Sequence, residues 1–371
     1  MARERWDVVV AGGGPAGCAA AARILQSRPG ARLLVLDRAD FPRDKVCGDG
    51  IAAQVFAALA EVGIDRAELT AGYSPSRNLR LNSPRGRTVE RSMPDEGFVI
   101  PRLVFDDRLL QAVRSRGAVF RQHTVRRVQV DPDAVVIDGT MACEVLIGAD
   151  GAESTVRRAV GFAPHRPGTV AVAIRGYAPE FSHQHGAQII TMTQHSWPAY
   201  AWSFPVGGGL ANVGYGEVSA GAGVTRAALL TRMHHLLPGL GPIDVRGHRL
   251  PLSTDRPPVR PGRVLLAGDA LSLINPLSGE GIYYAVRSGM AAGDAALSGQ
   301  RAGDLYRKLL RQQLGTHLRH TTILARLVKW SALIDAGVEA ARRDQGAFDD
   351  LAALALADGR ITRRLIRGLR R

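Results

Sequence analysis

The amino-acid sequence predicts an α/β chain: a parallel sheet covered on both faces, interrupted by an antiparallel-sheet insertion and followed by a helical segment. Three observations predict it. The first 40 residues read strand, Gly-rich turn, helix, strand; short apolar runs bounded by turn residues recur far downstream; and polar and apolar residues alternate between positions 165 and 250. A chain of 371 residues suits two or three domains, and 46% apolar with 22% charged residues excludes a disordered chain.

Each element has its own signal. Residues 7–11 are a Val-rich strand, 15–26 are Ala-rich with high helix propensity, and 33–36 form a second strand of the buried type. Residues 144–148 and 263–267 are short apolar runs, as strands covered on both faces require. Residues 169–175 and 187–193 alternate, as strands with one wet face do. We expect a discontinuous nucleotide-binding domain from residues 1–75, 98–160 and 255–300. Residues 76–97 and 161–254 then form a substrate domain, and 301–371 a C-terminal helical region.

The chemistry begins at Gly12-Gly13-Gly14-Pro15-Ala16-Gly17, which fits G-x-G-x-x-G between a strand and a helix. Gly12 permits the tight turn, Gly14 lets backbone N–H groups approach a pyrophosphate, and Gly17 lets helix and strand pack closely. The helix N-terminus, with Pro15 and Ala16 in its first turn, offers partial positive charge to the phosphates. Asp37, ending the next strand, is placed to accept hydrogen bonds from a ribose, and Arg38 after it gives a slight hint of NADP.

Downstream motifs decide between dinucleotides. Residues 150–157, with Asp150, Gly151, Ser154 and Arg157, fit D-G-x-x-S-x-x-R. Gly268-Asp269 ends another strand, before Asn275-Pro276 and Gly279-Glu280-Gly281-Ile282. Arg102, Phe105, Asp106 and Leu109 fit R-x-x-F-D-x-x-L. With these four motifs in order, the sequence resembles the flavoprotein superfamily built on the p-hydroxybenzoate hydroxylase fold. The resemblance implies a Rossmann-like, GR2-type FAD-binding domain, with FAD held by Gly12, Gly14, Gly17, Asp37, Arg102 and Asp269. Asp150, Gly268, Gly279, Gly281 and Ile282 complete the expected contacts.

Two stretches narrow the branch. Pro42-Arg43-Asp44-Lys45-Val46-Cys47-Gly48-Asp49-Gly50 resembles the P-R-x-K-x-C-G-x-G loop of the geranylgeranyl reductase family, and adds Arg43, Cys47 and Gly48 to the expected cofactor contacts. Residues 197–205 are similar to that family's P-x-x-Y-x-W-x-F-P cavity motif, with the leading Pro displaced to Pro198 and Trp197 in its place. Tyr200, Trp202, Phe204 and Pro276 are therefore the expected substrate wall. Arg43 and Lys45 beside Cys47 lead us to expect a lowered thiol pKa, and Cys47 and Tyr200 are the candidate catalytic proton donors. The activity implied is hydride transfer from flavin N5 to a C=C bond of a lipophilic isoprenoid or polyene substrate. NADPH, or a separate reductase or ferredoxin, supplies the electrons. An FAD-dependent monooxygenase of secondary metabolism and a non-catalytic prenyl-lipid-binding protein are the alternatives.

The remaining composition bounds partners. The formal charge is +14, and of 48 basic residues only Lys45, Lys308 and Lys329 are lysines, so the excess is arginine spread along the chain. Residues 301–371 hold 15 basic and 7 acidic residues, so any anionic partner is sought there; no nucleic-acid module accompanies the charge. Residues 360–371 place Ile361, Leu365, Ile366 and Leu369 on one stripe among six arginines, which suits either peripheral membrane contact or a helix docked on its own domain. Cys18, Cys47 and Cys143 form no metal or disulfide pattern, His234-His235 reads as a solvated turn, and no metal is expected. No signal or membrane-spanning segment is read, so a cytoplasmic location is expected, with peripheral membrane contact as a variant of it.

Overall fold

The computed structural model describes residues 3–193, 198–219, 224–328 and 331–369; Trp197, Arg370 and Arg371 lie outside the described residues. β1 (Glu4–Ala11) passes through the Gly-rich turn into α1 (Pro15–Ser27), which has Pro15 at its start, and returns as β2 (Leu33–Asp37). Next come β3 (Gly50–Ile51), α2 (Ala53–Ala60), α3 (Arg66–Thr70), the hairpin β4 (Pro75–Asn82) and β5 (Thr88–Val99), and α4 (Arg102–Arg114). β6 (Val119–Gln122), β7 (Val128–Val130), β8 (Val135–Ile137) and β9 (Met141–Gly148) lead to the short α5 (Thr155–Ala159). The alternating region forms β10 (Val170–Pro179), β11 (Gln188–Met192), β12 (Ala199–Gly207), β13 (Leu210–Val218), α6 (Arg226–Leu236) and β14 (Ile243–Pro251). β15 (Val264–Leu266) and α7 (Ile282–Ala296) precede four final helices: α8 (Ala302–Leu327), α9 (Ser331–Arg343), α10 (Gln345–Leu356) and α11 (Arg363–Leu369).

The first sheet runs β6-β2-β1-β9, and β15 shares the outer edge of β9 with the β8–β7 hairpin. Its central strands pair in parallel and are buried, which is why their apolar runs do not alternate. Small residues bring α7 down on α1: a Cβ on Gly289 would lie 2.1 Å from the Ala16 carbonyl oxygen. The second sheet runs β14-β10-β13-β12-β11-β4-β5-β3. It departs from the all-antiparallel expectation at one place, where β11 and β4 pair in parallel. The chain visits the first sheet between them, and that long crossover is what a parallel pair needs.

The C-terminal helices tie the two sheets together. Val338, Ala341 and Phe348 pack on Leu79 and Val89 of the β4–β5 hairpin, while the Ser83 hydroxyl donates to Asp335 at 2.6 Å. On the other side Asn275 Nδ2 donates to the Leu354 carbonyl at 2.9 Å, and the Tyr284 hydroxyl donates to that of Ala357 at 2.6 Å. His234 and His235 lie exposed in the last turn of α6, a helix where the sequence suggested a turn.

Candidate functional site

The turn after β1 is shaped by what a side chain would strike. Gly12 has φ +116°, and a Cβ there would lie 2.1 Å from the Ala149 carbonyl oxygen. A Cβ on Gly17 would lie 1.8 Å from the Gly12 carbonyl oxygen, so α1 is held tightly against the turn. Above Gly14, in contrast, the nearest atoms to such a Cβ are Arg43 Nη2 at 3.4 Å and Asp106 Oδ2 at 3.9 Å. The first turn of α1, with Pro15 and Ala16 buried, therefore opens toward the Arg43 guanidinium. Asp37 accepts from the Gly13 N–H at 2.8 Å and the Ala39 N–H at 3.0 Å, whereas Arg38 is exposed and lies outside the cavity wall.

The loop from Pro42 to Gly50 converges on acids from separate segments. Arg43 Nη1 donates to Asp106 at 2.9 Å and its Nη2 lies 3.7 Å from Asp37; Lys45 donates to Asp269 at 3.0 Å. Arg102, buried at the start of α4, grips Asp106 in a bidentate pair, Nε to Oδ1 at 2.6 Å and Nη2 to Oδ2 at 2.7 Å. Burial opposes charge on both groups, and their mutual attraction overcomes it: Arg102 is pushed up and Asp106 held below the usual carboxylate range.

One expectation is corrected here. The Cys47 thiol is not lowered: burial pushes it up, the nearby Arg102 only partly offsets this, and Arg43 and Lys45 are turned to their carboxylates. Cys47 is thus a neutral thiol, suited to giving a proton rather than to acting as a thiolate. The Asp150 carboxylate accepts from the Ser154 hydroxyl and from the Thr155 and Val156 N–H groups at 2.7 and 3.1 Å. These bonds tie the carboxylate to the first turn of α5, whose N-cap is Ser154.

Between the sheets lies a cavity of about 420 Å³. Cys47, Gly48 and Arg102 wall one side, Tyr200, Trp202 and Phe204 of β12 another, and Pro276, Gly279, Gly281 and Ile282 a third. The three aromatic residues alternate along β12 and stand in file as tilted pairs, with ring centroids 6.0 and 6.5 Å apart. Gly48 and Gly50 let the loop lie on them: a Cβ on Gly48 would lie 3.3 Å from Trp202 Nε1, and one on Gly50 3.4 Å from the Phe204 ring. The Tyr200 hydroxyl donates to the Ser278 carbonyl. Gly268, at φ +59°, holds the strand-end turn before Asp269, where its N–H donates to Ser288 at 2.9 Å.

Sequence reasoning missed the groups that organise this cavity. Asp49, fully buried at φ +62°, accepts from the Tyr177 hydroxyl at 2.6 Å and Asn212 Nδ2 at 2.7 Å. Asn212 also donates to the Cys47 carbonyl at 2.9 Å and accepts from Trp202 Nε1 at 2.9 Å, so one amide joins loop, strand and aromatic wall. Burial pushes Asp49 up to about 6 against these donors. Glu280 accepts from the Tyr283 N–H at 2.8 Å, and burial pushes its acid up to about 7 on the cavity wall. Arg175 and His248, on adjacent strands of the same wall, carry buried N atoms without partners: Nε and Nη1 of Arg175, Nε2 of His248. Burial lowers His248 to about 4, so it is neutral. The available signal was an acid standing between two glycines, at Asp49 and again at Glu280.

These observations test the fit of a flavin dinucleotide. The cradle is closed to side chains at Gly12 and Gly17 and open above Gly14, where the first turn of α1 lies beside the Arg43 guanidinium. Both offer donors that the pyrophosphate of a flavin dinucleotide would satisfy. The fold and site define a dinucleotide-dependent flavoprotein.

A family model described as an FAD binding domain matches residues 5–220. The chain is 36% identical over 330 residues to the menaquinone reductase of Mycolicibacterium smegmatis, covering 80% of this chain and 77% of that one. It is 31% identical over 325 residues to digeranylgeranylglycerophospholipid reductase 1 of Methanopyrus kandleri, covering 83% and 84%. Its fold matches the crystal structure of a geranylgeranyl bacteriochlorophyll reductase-like protein from Thermoplasma acidophilum, with a TM-score of 0.79 over 99% and 96% of the chains at 19% identity. The chain belongs to the geranylgeranyl reductase family of FAD-dependent oxidoreductases. FAD is its cofactor, and reductase stands over monooxygenase as its activity. No helix among the described residues is long and apolar enough to cross a membrane.

Proposed function

We propose that the protein saturates C=C bonds in a long lipophilic chain, isoprenoid or polyene in character, at the cavity between its sheets. The observation that carries this is the shape of the wall. It runs from Cys47 and Arg102 along the Tyr200–Trp202–Phe204 file to Leu324, Val328, Leu365 and Leu369 of the last helices, and apolar side chains dominate it. The lipid substrates named for the two reductase relatives agree with that wall. The first sheet bears the cofactor and the second the substrate.

In this reading Gly12, Gly14, Pro15, Ala16, Gly17, Asp37 and Arg43 hold the dinucleotide end of FAD, and Cys47, Gly48, Arg102, Asp269, Gly279, Gly281 and Ile282 its flavin end. Bound reduced FAD supplies a hydride to one carbon of the double bond. The other carbon needs a proton, and three proton-bearing groups line the cavity: the neutral Cys47 thiol, the neutral Tyr200 hydroxyl, and Glu280, whose acid is pushed up to about 7. Trp202 and Phe204 exclude water and align the chain, with Pro276 opposite. NADPH or a separate donor protein reduces the flavin, and the substrate is met at a membrane surface.

The test is incubation of the reduced protein with a polyprenyl lipid in the absence of oxygen. The expected product gains two hydrogens per bond; an oxygenated product formed only in air would overturn the reading. Cys47→Ala then assigns the proton: turnover slowed at every pH supports the thiol, and unchanged turnover removes it from the mechanism.

A further inference from the structure

The chain's arginine excess leaves arginines outnumbering acids at one corner of the molecule. On the last turns of α8, Arg319, Ile323, Arg326 and Leu327 share one outward face, with Ile323 44% and Leu327 43% exposed. α11 lies beside it: the Ile361 N–H donates to His320 Nδ1 at 3.1 Å. On α11 the stripe read from the sequence divides. Leu365 is buried and Leu369 turns to the cavity, while Ile366 is 40% exposed between Arg363 and Arg367. Arg319, Arg326, Arg360, Arg363 and Arg367 are exposed, and none has a carboxylate within ion-pair distance among the described residues. Only Arg364 has one, Asp350 at 3.9 Å.

The same two segments reach the cavity from behind. Leu324 and Val328 of the α8 end and Leu365 and Leu369 of α11 line its wall, and all but Leu365 are partly exposed. The far end of the cavity therefore lies directly beneath this corner. Apolar side chains ringed by unpaired arginines suit a surface whose charge is negative and whose interior is hydrocarbon.

We propose that this corner seats on an anionic lipid bilayer, and that the substrate chain enters the cavity between the end of α8 and α11. The inference rests on the reading that the substrate is a lipid. It names where that lipid is met. Arginines near the headgroups supply attraction that salt screens, while Ile323, Leu327 and Ile366 enter the boundary of the acyl chains.

The test is co-sedimentation of the full chain with vesicles of phosphatidylglycerol and phosphatidylcholine, compared with phosphatidylcholine alone. Wild-type protein should bind the anionic vesicles far more strongly, and less as salt is raised. Arg363→Glu with Arg367→Glu should weaken that binding by at least about 25-fold, at about fivefold for each arginine lost. Ile323→Ser with Leu327→Ser should leave residual binding that high salt abolishes. Both variants should keep their flavin absorbance and melting temperature, and their rate on a detergent-dispersed lipid. Equal binding to both vesicles, or unchanged binding by both variants, overturns the proposal. Binding is read without turnover, so vesicle binding with no double-bond reduction would instead sink the functional reading alone.

Discussion

At the scale of single residues the site is governed by which charges are paired. The Arg102–Asp106 pair is buried and bidentate, and Arg43 braces it from the loop. Replacing Asp106 with Ala strands a buried guanidinium, which costs about 3–5 kcal/mol. The expected result is a large fall in melting temperature together with loss of bound flavin. Glu280 yields a prediction in pH. Burial holds its acid at about 7, above the ordinary carboxylate value, so the folded chain keeps a proton that the unfolded chain releases. That contribution to stability is present at acid pH and is lost as pH rises to about 7. Thermal melts of Glu280→Gln should therefore change less between about pH 4.5 and 7 than those of the wild type. Identical pH profiles would show that Glu280 is not buried as described. Of the residue-level picture, the glycine cradle, Asp37 and the aromatic file were legible because their spacing is local. The Asp49–Asn212–Tyr177 network was not, since it joins positions brought together only by folding.

At the scale of elements, close backbone approach replaces large side chains where the aromatic wall packs on its own sheet. A Cβ on Gly214 of β13 would lie 2.2 Å from the Trp202 ring and 2.4 Å from the Ile174 carbonyl oxygen. Gly214→Ala should displace Trp202, alter its fluorescence and raise KM for a long-chain substrate more than it changes flavin content. Phe348 of α10 is the apolar pin between the last helices and the β4–β5 hairpin. Phe348→Ala should cost about 3–5 kcal/mol and expose the C-terminal helices to limited proteolysis before the rest of the chain. Strand, turn and helix at the amino terminus could be read directly, because period and punctuation agree there. The parallel pairing of β11 with β4 could not: it depends on the path between them, which leaves no local pattern. The final helix was overestimated for a similar reason. Periodicity marks an apolar stripe without saying which residues face inward, and Leu365 and Ile366 part company only once α11 packs on α9 and α10.

At the scale of the whole molecule, one sheet carries a nucleotide cradle, the other an aromatic wall, and four helices close the space between them. The charge of +14 first invites a nucleic-acid partner, but no module for one accompanies it, and the unpaired arginines at the end of α8 and on α11 locate part of it beside the cavity. The family could be read because its motifs are local stretches of sequence; the identity of the substrate is a property of cavity length and was not. The most direct test of the central claim follows the flavin by stopped-flow absorbance. Reduced protein is mixed with a polyprenyl lipid under strict exclusion of oxygen. Double-bond reduction predicts that the yellow oxidised spectrum returns, with one double bond lost for each flavin reoxidised. A flavin that stays reduced until oxygen is admitted, with an oxygenated lipid as product, would contradict it.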